Sequence, residues 1–402
     1  MRHSSWLIAL SATMLAQTIA SFMGQCLPVV APLLTAGLGL APERIGLLSS
    51  LTSLGSVVFL AFGGPYLARF GPARSLQLGA IAAIVAMGLA ALGWFPALLL
   101  AALLLGLGYG PTPPAGSRIL AATAPPAHRS LIFSIKQSGA PAGGALAGLI
   151  VAPFAGAFGW SAALLLAVAI GSITIVAIHP LRRQLDVERD VGRSIHPRDV
   201  FRLATLLGPI ATLRAAPMMV SLTCLAFSFS CAQGTLYSFS VTYLTQRGLS
   251  LTDAGFAYAC LQIAGVLARI ALGWLADRTG RPAVNLAVQA YVAAGCVAVY
   301  AVMPADLPLW QVAVVTTSCG FFAASWNGIY MAEVARLAPP DLVGDATAAS
   351  ALFTFLGYVL APLLFAAAVP LWGWRWPYAV VAAQLAAMAL VQTVLLVPRL
   401  KR

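Results

Sequence analysis

Four ionisable side chains stand inside long apolar runs of this 402-residue sequence: Arg118, Lys136, Arg269 and Glu333. If those runs cross a membrane, a bare guanidinium or ammonium in them costs about 3 kcal/mol or more, so it normally faces a polar cavity or a partner. Three of the four are cations, and no mid-membrane carboxylate accompanies Arg269 or Lys136. The simplest missing counter-ion is then a solute. A guanidinium offers a planar fork that fits a carboxylate, and an ammonium acts as a point charge. The chemistry these residues point to is reversible binding of an anion. For both deep cations the alternative is satisfaction by backbone carbonyls. Arg118 and Glu333 lie near enough to an interface to snorkel. Arg118 can then meet a headgroup or a loop carbonyl as well as a solute, and Glu333 can pair with Arg336, one turn on.

Catalysis is not indicated. No Ser/His/Asp set, metal cluster or phosphate loop is present, and His3, His128, His179 and His196 fall at interfaces or in loops. Cys26, Cys224, Cys231, Cys260, Cys296 and Cys319 all lie in apolar segments without CxxC spacing. They read as small buried packing residues, with neither a disulfide framework nor a metal site and no cofactor.

The elements that must position these residues follow from composition. The chain is 60% hydrophobic and 8% charged, so the solvent for most of it is lipid. A net charge of +12 might suggest nucleic acid. However, only two of the 23 basic residues are lysines, and the arginines sit mostly in short loops, where the positive-inside rule accounts for them. A span needs about 20 apolar residues. Divided so, the sequence predicts twelve: 7–34, 45–67, 76–95, 97–122, 130–154, 159–179, 217–243, 252–276, 283–303, 308–335, 345–369 and 374–397. The first resembles a signal peptide but runs on past Leu40, and is read as an uncleaved helix.

With the N-terminus inside, the cytoplasmic pieces hold Arg2, Arg69, Arg74, Arg129, the Arg182–Arg214 set, Arg278, Arg281, Arg336, Arg399, Lys401 and Arg402. The other side receives Arg44, Arg247 and Arg375, so both termini are expected in the cytoplasm of an inner-membrane protein. Residues 1–180 and 217–402 then form two six-helix bundles, joined by a cytoplasmic linker, 181–216. The linker's arginines stand among Asp186, Glu188, Asp190 and Asp199. It is either a surface for anionic membrane lipid or a solvated connection touching headgroups. The halves also repeat. Gly106, Ala124-Pro125-Pro126 and Gly159-Trp160 recur at one offset as Gly320, Ala338-Pro339-Pro340 and Gly373-Trp374. Two repeated six-helix halves are the architecture of a transporter that rocks about a midplane site.

One loop sequence appears twice. Gly64, Arg69, Gly71 and Arg74 follow the second span, and Gly273, Leu275, Ala276, Asp277, Arg278, Gly280 and Arg281 end the eighth. The second copy closely resembles the G-x-L-A-D-R-x-G-R-R loop of the major facilitator superfamily, and the resemblance covers the whole chain. It implies an all-α membrane protein of twelve transmembrane helices in two pseudo-symmetric bundles. It also implies that the loop aspartate helps latch a cytoplasmic gate. Ala68 takes that place in the first copy, leaving Asp277, which could equally cap a helix end or pair locally. Gly139-Ala140-Pro141-Ala142-Gly143-Gly144 in the fifth span resembles the Gly-Pro-rich motif of the superfamily's antiporters, with the proline displaced by one place. Close helix packing is what those glycines imply.

Within the superfamily the chain is similar to the organic-anion branch, the oxalate/formate exchangers and monocarboxylate porters, which place an arginine in helix 8 where Arg269 stands. Gly265 replaces the aspartate that monocarboxylate porters often carry one turn earlier. The helix 11 lysine of the oxalate/formate exchangers is absent, while Lys136 lies in the corresponding helix of the other half. In the family, helices 1, 4, 7 and 10 line the cavity. Here they carry Gln17, Gln25, Tyr109, Thr112, Gln233, Tyr237, Trp326, Asn327 and Tyr330. Gln25 and Asn327 are expected as solute contacts, because an unpaired amide in lipid is costly. Pro111, Pro113 and Pro114 break helix 4 and expose carbonyls near Tyr109. The expected substrate site is therefore Arg269, Lys136, Gln25, Asn327, Tyr109 and Arg118, in a protein whose default state is a monomer.

The expected function is secondary transport of a small organic anion, proton-coupled or by exchange. Moving one negative charge inward against 100 mV costs about 2.3 kcal/mol, and with no buried Asp or His to carry a proton, the substrate carboxylate itself is expected to take it. The alternative is an exporter of amphipathic compounds whose cations are structural. A receptor on the same fold would be expected to carry a signalling tail, and the sequence stops at Arg402.

Overall fold

A computed structural model of the chain describes residues 3–125, 129–186, 189–196, 217–339 and 342–400. Among the described residues, twelve helices are long and apolar enough to cross a membrane. In chain order they are α1 Trp6–Gly37, α2 Pro42–Phe62, α3 Pro72–Ala91, α4 Phe95–Thr123, α5 Ile132–Phe158 and α6 Trp160–Leu185. There follow α7 Met218–Gln246, α8 Leu251–Thr279, α9 Pro282–Val302, α10 Leu309–Leu337, α11 Ala346–Trp372 and α12 Arg375–Leu396. No strand occurs among the described residues. These spans match the predicted segments to within a few residues, and the differences have local causes.

α2 ends at Phe62, short of the expected residue 67, because Gly63-Gly64-Pro65 stops it and starts a separate short helix, Gly64–Phe70. α3 begins earlier than expected, at Pro72, whose fixed φ suits a first helical turn and whose missing N–H costs nothing there. α6 runs through a 3₁₀ turn, His179–Leu181, into Arg182–Leu185, so the first residues assigned to the linker are helical. Linker residues Glu188, Arg198, Asp199, Arg202 and Arg214 lie outside the described residues, as do Arg2, His128, Lys401, Arg402, and Pro126 and Pro340 of the repeated proline pairs.

The chain divides into two compact units, Met1–Pro42 with Leu51–Arg202, and Glu43–Ser50 with Leu203–Arg402. Inside the first, a cluster that includes Leu10, Leu67, Leu76, Ile119, Leu120, Ile132 and Ile178 is closed by Trp6, Phe133 and Leu185. Inside the second, Tyr243, Tyr300 and Tyr378 pack at tilted and edge-on angles with ring centroids 5.1–5.2 Å apart, and Phe365 sits 4.6 Å from Tyr378. Arg247 covers this group, its guanidinium 5.4 Å from the Tyr243 ring and donating to the Met303 carbonyl.

Each unit holds its helices together by the same device. A Cβ on Gly106 of α4 would overlap the Thr52 carbonyl of α2, and one on Gly320 of α10 would overlap the Leu261 carbonyl of α8. A Cβ on Gly143 of α5 would overlap the Thr18 carbonyl of α1, and one on Gly357 of α11 would overlap Ser230 Oγ of α7. These are small-residue contacts that let backbones approach closely, where lipid supplies no hydrophobic drive to hold helices together. The close packing expected of the α5 glycines is thus present. The sequence repeat recurs in three dimensions.

α4 and α10 are both broken, at equivalent places. Helix Phe95–Tyr109 gives way at Gly110-Pro111 to Thr112–Thr123, and Leu309–Ala323 gives way at Ala324-Ser325-Trp326 to Asn327–Leu337. Proline accounts for the first break. The second has no proline, and side chains of neighbouring helices take up what it frees. Gln289 Nε2 of α9 donates to the Phe322 carbonyl at 2.9 Å and to Ser325 Oγ at 3.1 Å.

Candidate functional site

Arg269 lies on α8, half-buried, and its guanidinium reaches the Ala324 carbonyl at the α10 break, 3.4 Å from Nη2. At that length the bond is weak. The α10 break also presents Asn327, whose Oδ1 is buried with no hydrogen-bond partner among the described residues. Tyr237 of α7 lies near Arg269 and Gln233. Arg269 thus reaches the interrupted backbone of α10, on which Asn327 stands, and Tyr237 lies within electrostatic range of it. Such side chains can hold a carboxylate by charge and by hydrogen bonds at once.

Gln233 organises the side chains behind it. Its Oε1 accepts from Trp326 Nε1 at 3.0 Å and from the Tyr358 hydroxyl at 2.7 Å. Trp326 stacks on Phe229 at 5.8 Å, and the Tyr330 hydroxyl donates to Thr223 Oγ1 at 3.0 Å. Both aromatic residues are 1% exposed, so they pack and position. Gln262 Nε2 meets the Tyr258 hydroxyl at 2.6 Å. Nothing in the sequence marks Tyr358, Tyr258 and Gln262 as part of this region. The last two lie on α8 itself, one turn apart, a spacing at which side chains meet.

In the first unit Lys136 is 1% exposed. Its stem packs against Gly116 of α4, near Thr13 of α1, and a Cβ on Gly116 would sit 2.6 Å from Lys136 Cε. The ammonium bonds Gln137 Oε1 at 3.3 Å, and no carboxylate of the described residues lies within 4 Å of it. Gln17 Nε2 donates to the Tyr109 hydroxyl at 2.9 Å, tying α1 to α4 just before the Gly110-Pro111 break. Gln25 is half-buried further along α1, and Arg118 is exposed on the second segment of α4. The predicted pairing of Glu333 is present. Arg336 forms a two-pronged contact with it, Nε to Oε2 at 2.7 Å and Nη2 to Oε1 at 2.6 Å. One cysteine departs from expectation: Cys224 is exposed on α7, while Cys26, Cys231 and Cys319 are buried and Cys260 and Cys296 partly so.

The two loop motifs differ. In the second copy Gly280 takes the left-handed conformation that ends α8 (φ +63°), Arg278 stacks on Trp274 at 5.2 Å, and Asn285 Nδ2 donates to Thr279 Oγ1 at 2.7 Å. Asp277 is exposed and forms no ion pair with a described residue. In the first copy Gly71 (φ +86°) turns the chain from the short helix into α3. The aspartate missing at Ala68 is not replaced there; instead Asp186, just after α6, caps α3. It accepts from the Ala73 N–H at 2.6 Å and the Arg74 N–H at 3.1 Å. Burial pushes the Asp186 carboxyl above its ordinary range, against the pull of those two N–H bonds and of the nearby Arg182 and Arg189. Asp190 N–H donates to the Ala68 carbonyl at 2.8 Å, and Arg69 Nη1 to the Arg193 carbonyl at 3.0 Å.

A multi-pass membrane transporter is the class that twelve apolar spans in repeated halves define, with cations in place of catalytic groups. The chain belongs to the Major Facilitator Superfamily, which it matches over residues 13–362. It is 27% identical over 256 residues to the hexuronate transporter of Bacillus subtilis (62% of this chain, 60% of that one). It is 28% identical over 283 residues to the 4-hydroxybenzoate transporter PcaK of Pseudomonas aeruginosa (62% and 61%). A probable nitrate/nitrite transporter, NarK2 of Mycobacterium tuberculosis, is 33% identical over 159 residues, 39% of this chain and 40% of that one. The chain thus aligns with about three fifths of the first two relatives' length. The nucleoside transporter NupG has the same fold (TM-score 0.75, 16% identity, 96% of this chain and 99% of that one). So does a peptide-transporter-family protein crystallised with 5-aminolevulinic acid (TM-score 0.79, 12% identity, 98% and 96%). The family and these relatives are transporters, not enzymes.

Proposed function

We propose that this protein is a secondary active transporter that moves a small organic anion, a carboxylate, across the inner membrane by rocking its two halves in alternating access. The observation that carries the reading is a charge imbalance. Away from the span ends the sequence places a single carboxylate, Glu333, and both of its oxygens are taken by Arg336. The sequence places no second interior carboxylate to offset Arg269 and Lys136 together, and an anionic substrate completes the balance. Arg269 is the carboxylate anchor, with Tyr237 and Asn327 as hydrogen-bonding neighbours, and Lys136 is a second positive centre. Gln25, Tyr109 and Arg118 are assigned lesser contacts. The substrates after which these relatives are named, hexuronate, 4-hydroxybenzoate and nitrate, are all anions, which supports the same class. The basic loops are assigned to the cytoplasm, with both termini.

Reconstituted proteoliposomes test this directly. Uptake of labelled glucuronate, 4-hydroxybenzoate and short monocarboxylates is compared for wild type, Arg269→Ala and Arg269→Lys. Losing a charged hydrogen-bonded anchor costs about 2–4 kcal/mol of binding, or roughly thirtyfold to a thousandfold. Arg269→Lys should keep part of the rate, because charge survives without the fork. Wild-type anion uptake by Arg269→Ala would reject the anchor, and expulsion of a lipophilic dye with no anion uptake would favour the exporter.

A further inference from the structure

Where the short helix Gly64–Phe70, the start of α3 and the end of α6 meet, the first unit forms a cavity of about 470 Å³. Arg69, Arg74, Arg182 and Arg189 line it together with Asp186. Four guanidiniums around one space repel one another unless an anion lies among them. Asp186 meets only part of that need: it is one carboxylate, held by the Ala73 and Arg74 N–H groups and near Arg182 and Arg189, against four guanidiniums. Asp190 is likewise engaged, its Oδ1 accepting the Gly192 N–H at 3.1 Å. Arg69 gives one donor to the Arg193 carbonyl. Among the described residues the side chains of Arg74, Arg182 and Arg189 make no hydrogen bond, and Arg182 and Arg189 act on Asp186 through charge alone.

We infer that this cavity is a binding site for a phosphoryl group, held between Arg69, Arg74, Arg182 and Arg189 outside the transport pathway. A phosphoryl group offers several anionic oxygens to the guanidinium forks, which match them two at a time. Leu78 points to the source. It lines the cavity and begins a stripe of exposed apolar side chains along α3, Leu78, Ile81 and Val85, each 42–50% exposed. These residues lie three and four apart and so share one face of the helix. The stripe leads from the arginines along the hydrocarbon-facing side of the span, the path of an acyl chain attached to a bound headgroup. An anionic glycerophospholipid satisfies both ends. The site also couples α3, α6 and the start of the linker, so its occupancy stiffens the first unit.

The test uses the purified full-length protein in neutral detergent, with thermal unfolding followed against dioctanoyl phosphatidylglycerol, dioctanoyl phosphatidylcholine and inorganic phosphate. Phosphatidylglycerol is expected to raise the midpoint saturably by about 2–4 °C at concentrations well above its dissociation constant, and phosphatidylcholine by much less. Arg74→Gln/Arg182→Gln and, separately, the exposed Arg189→Glu should each remove most of that rise. The single variant decides the matter if the double variant does not fold. A saturable rise with millimolar phosphate, lost in the variants while the two lipids act alike, also supports the site and assigns it a soluble phosphoryl ligand. Equal shifts by both lipids without a phosphate effect, or anion shifts that survive the substitutions, overturn the inference.

Discussion

Lys136 is 1% exposed, and its ammonium meets the neutral Gln137 amide at 3.3 Å. Desolvating a charge against one neutral partner is expensive, and cations in spans persist where function needs them. Lys136→Met keeps most of the stem's volume and removes the charge. The variant should melt a few degrees higher than wild type while anion uptake falls at least tenfold, the usual exchange of stability for activity at a binding site. A lower midpoint would show that the ammonium supports the fold through its surroundings. Arg269, Lys136 and the Glu333–Arg336 pair were legible in the sequence because interior charges are rare there and the pair is only three residues apart. The Gln233 hub was not, because Trp326 and Tyr358 reach it across separations of 93 and 125 residues. The capping role of Asp186 was not legible either, since its partners lie 112 and 113 residues away.

Among the helices, span number and approximate ends were legible, because the length of an apolar run measures a bilayer directly. The α4 break was signalled by Pro111. The α10 break lacked any such residue, although the repeat carries Gly110 onto Ala324. Facing was less legible. A span that touches lipid on one side and protein on the other is apolar all round, which is why Cys224 reads as buried and is exposed. The glycine contacts give a paired prediction. Gly106→Ala and Gly320→Ala should each destabilise their unit by about 1–3 kcal/mol, because the new methyl overlaps a carbonyl that belongs to another helix. Gly88→Ala on α3 and Gly295→Ala on α9 meet nothing within 4 Å and should be neutral or mildly stabilising. Thermal midpoints of the four variants check this. Equal effects in both pairs would mean that the backbones can move apart at little cost.

For the whole molecule, the direction of transport is an energetic question. A monoanion entering alone against 100 mV, negative inside, is opposed by about 2.3 kcal/mol, roughly a fiftyfold lower accumulation. Proton-linked entry or exchange of like-charged anions moves no net charge. Imposing a potassium diffusion potential with valinomycin on proteoliposomes should therefore change steady-state anion accumulation less than twofold, while a pH gradient or preloaded anion raises it. A fiftyfold response to voltage would instead mark an unaccompanied charge. The close glycine contacts inside each unit bear on how any such cycle can run. A carbonyl seated against a bare Cα has no side chain to swing aside, so helices joined in that way cannot re-space by small rotameric steps. Any motion of the proposed cycle would then be kept out of each bundle's interior. Carrying cargo would then leave the inside of either bundle nearly unchanged.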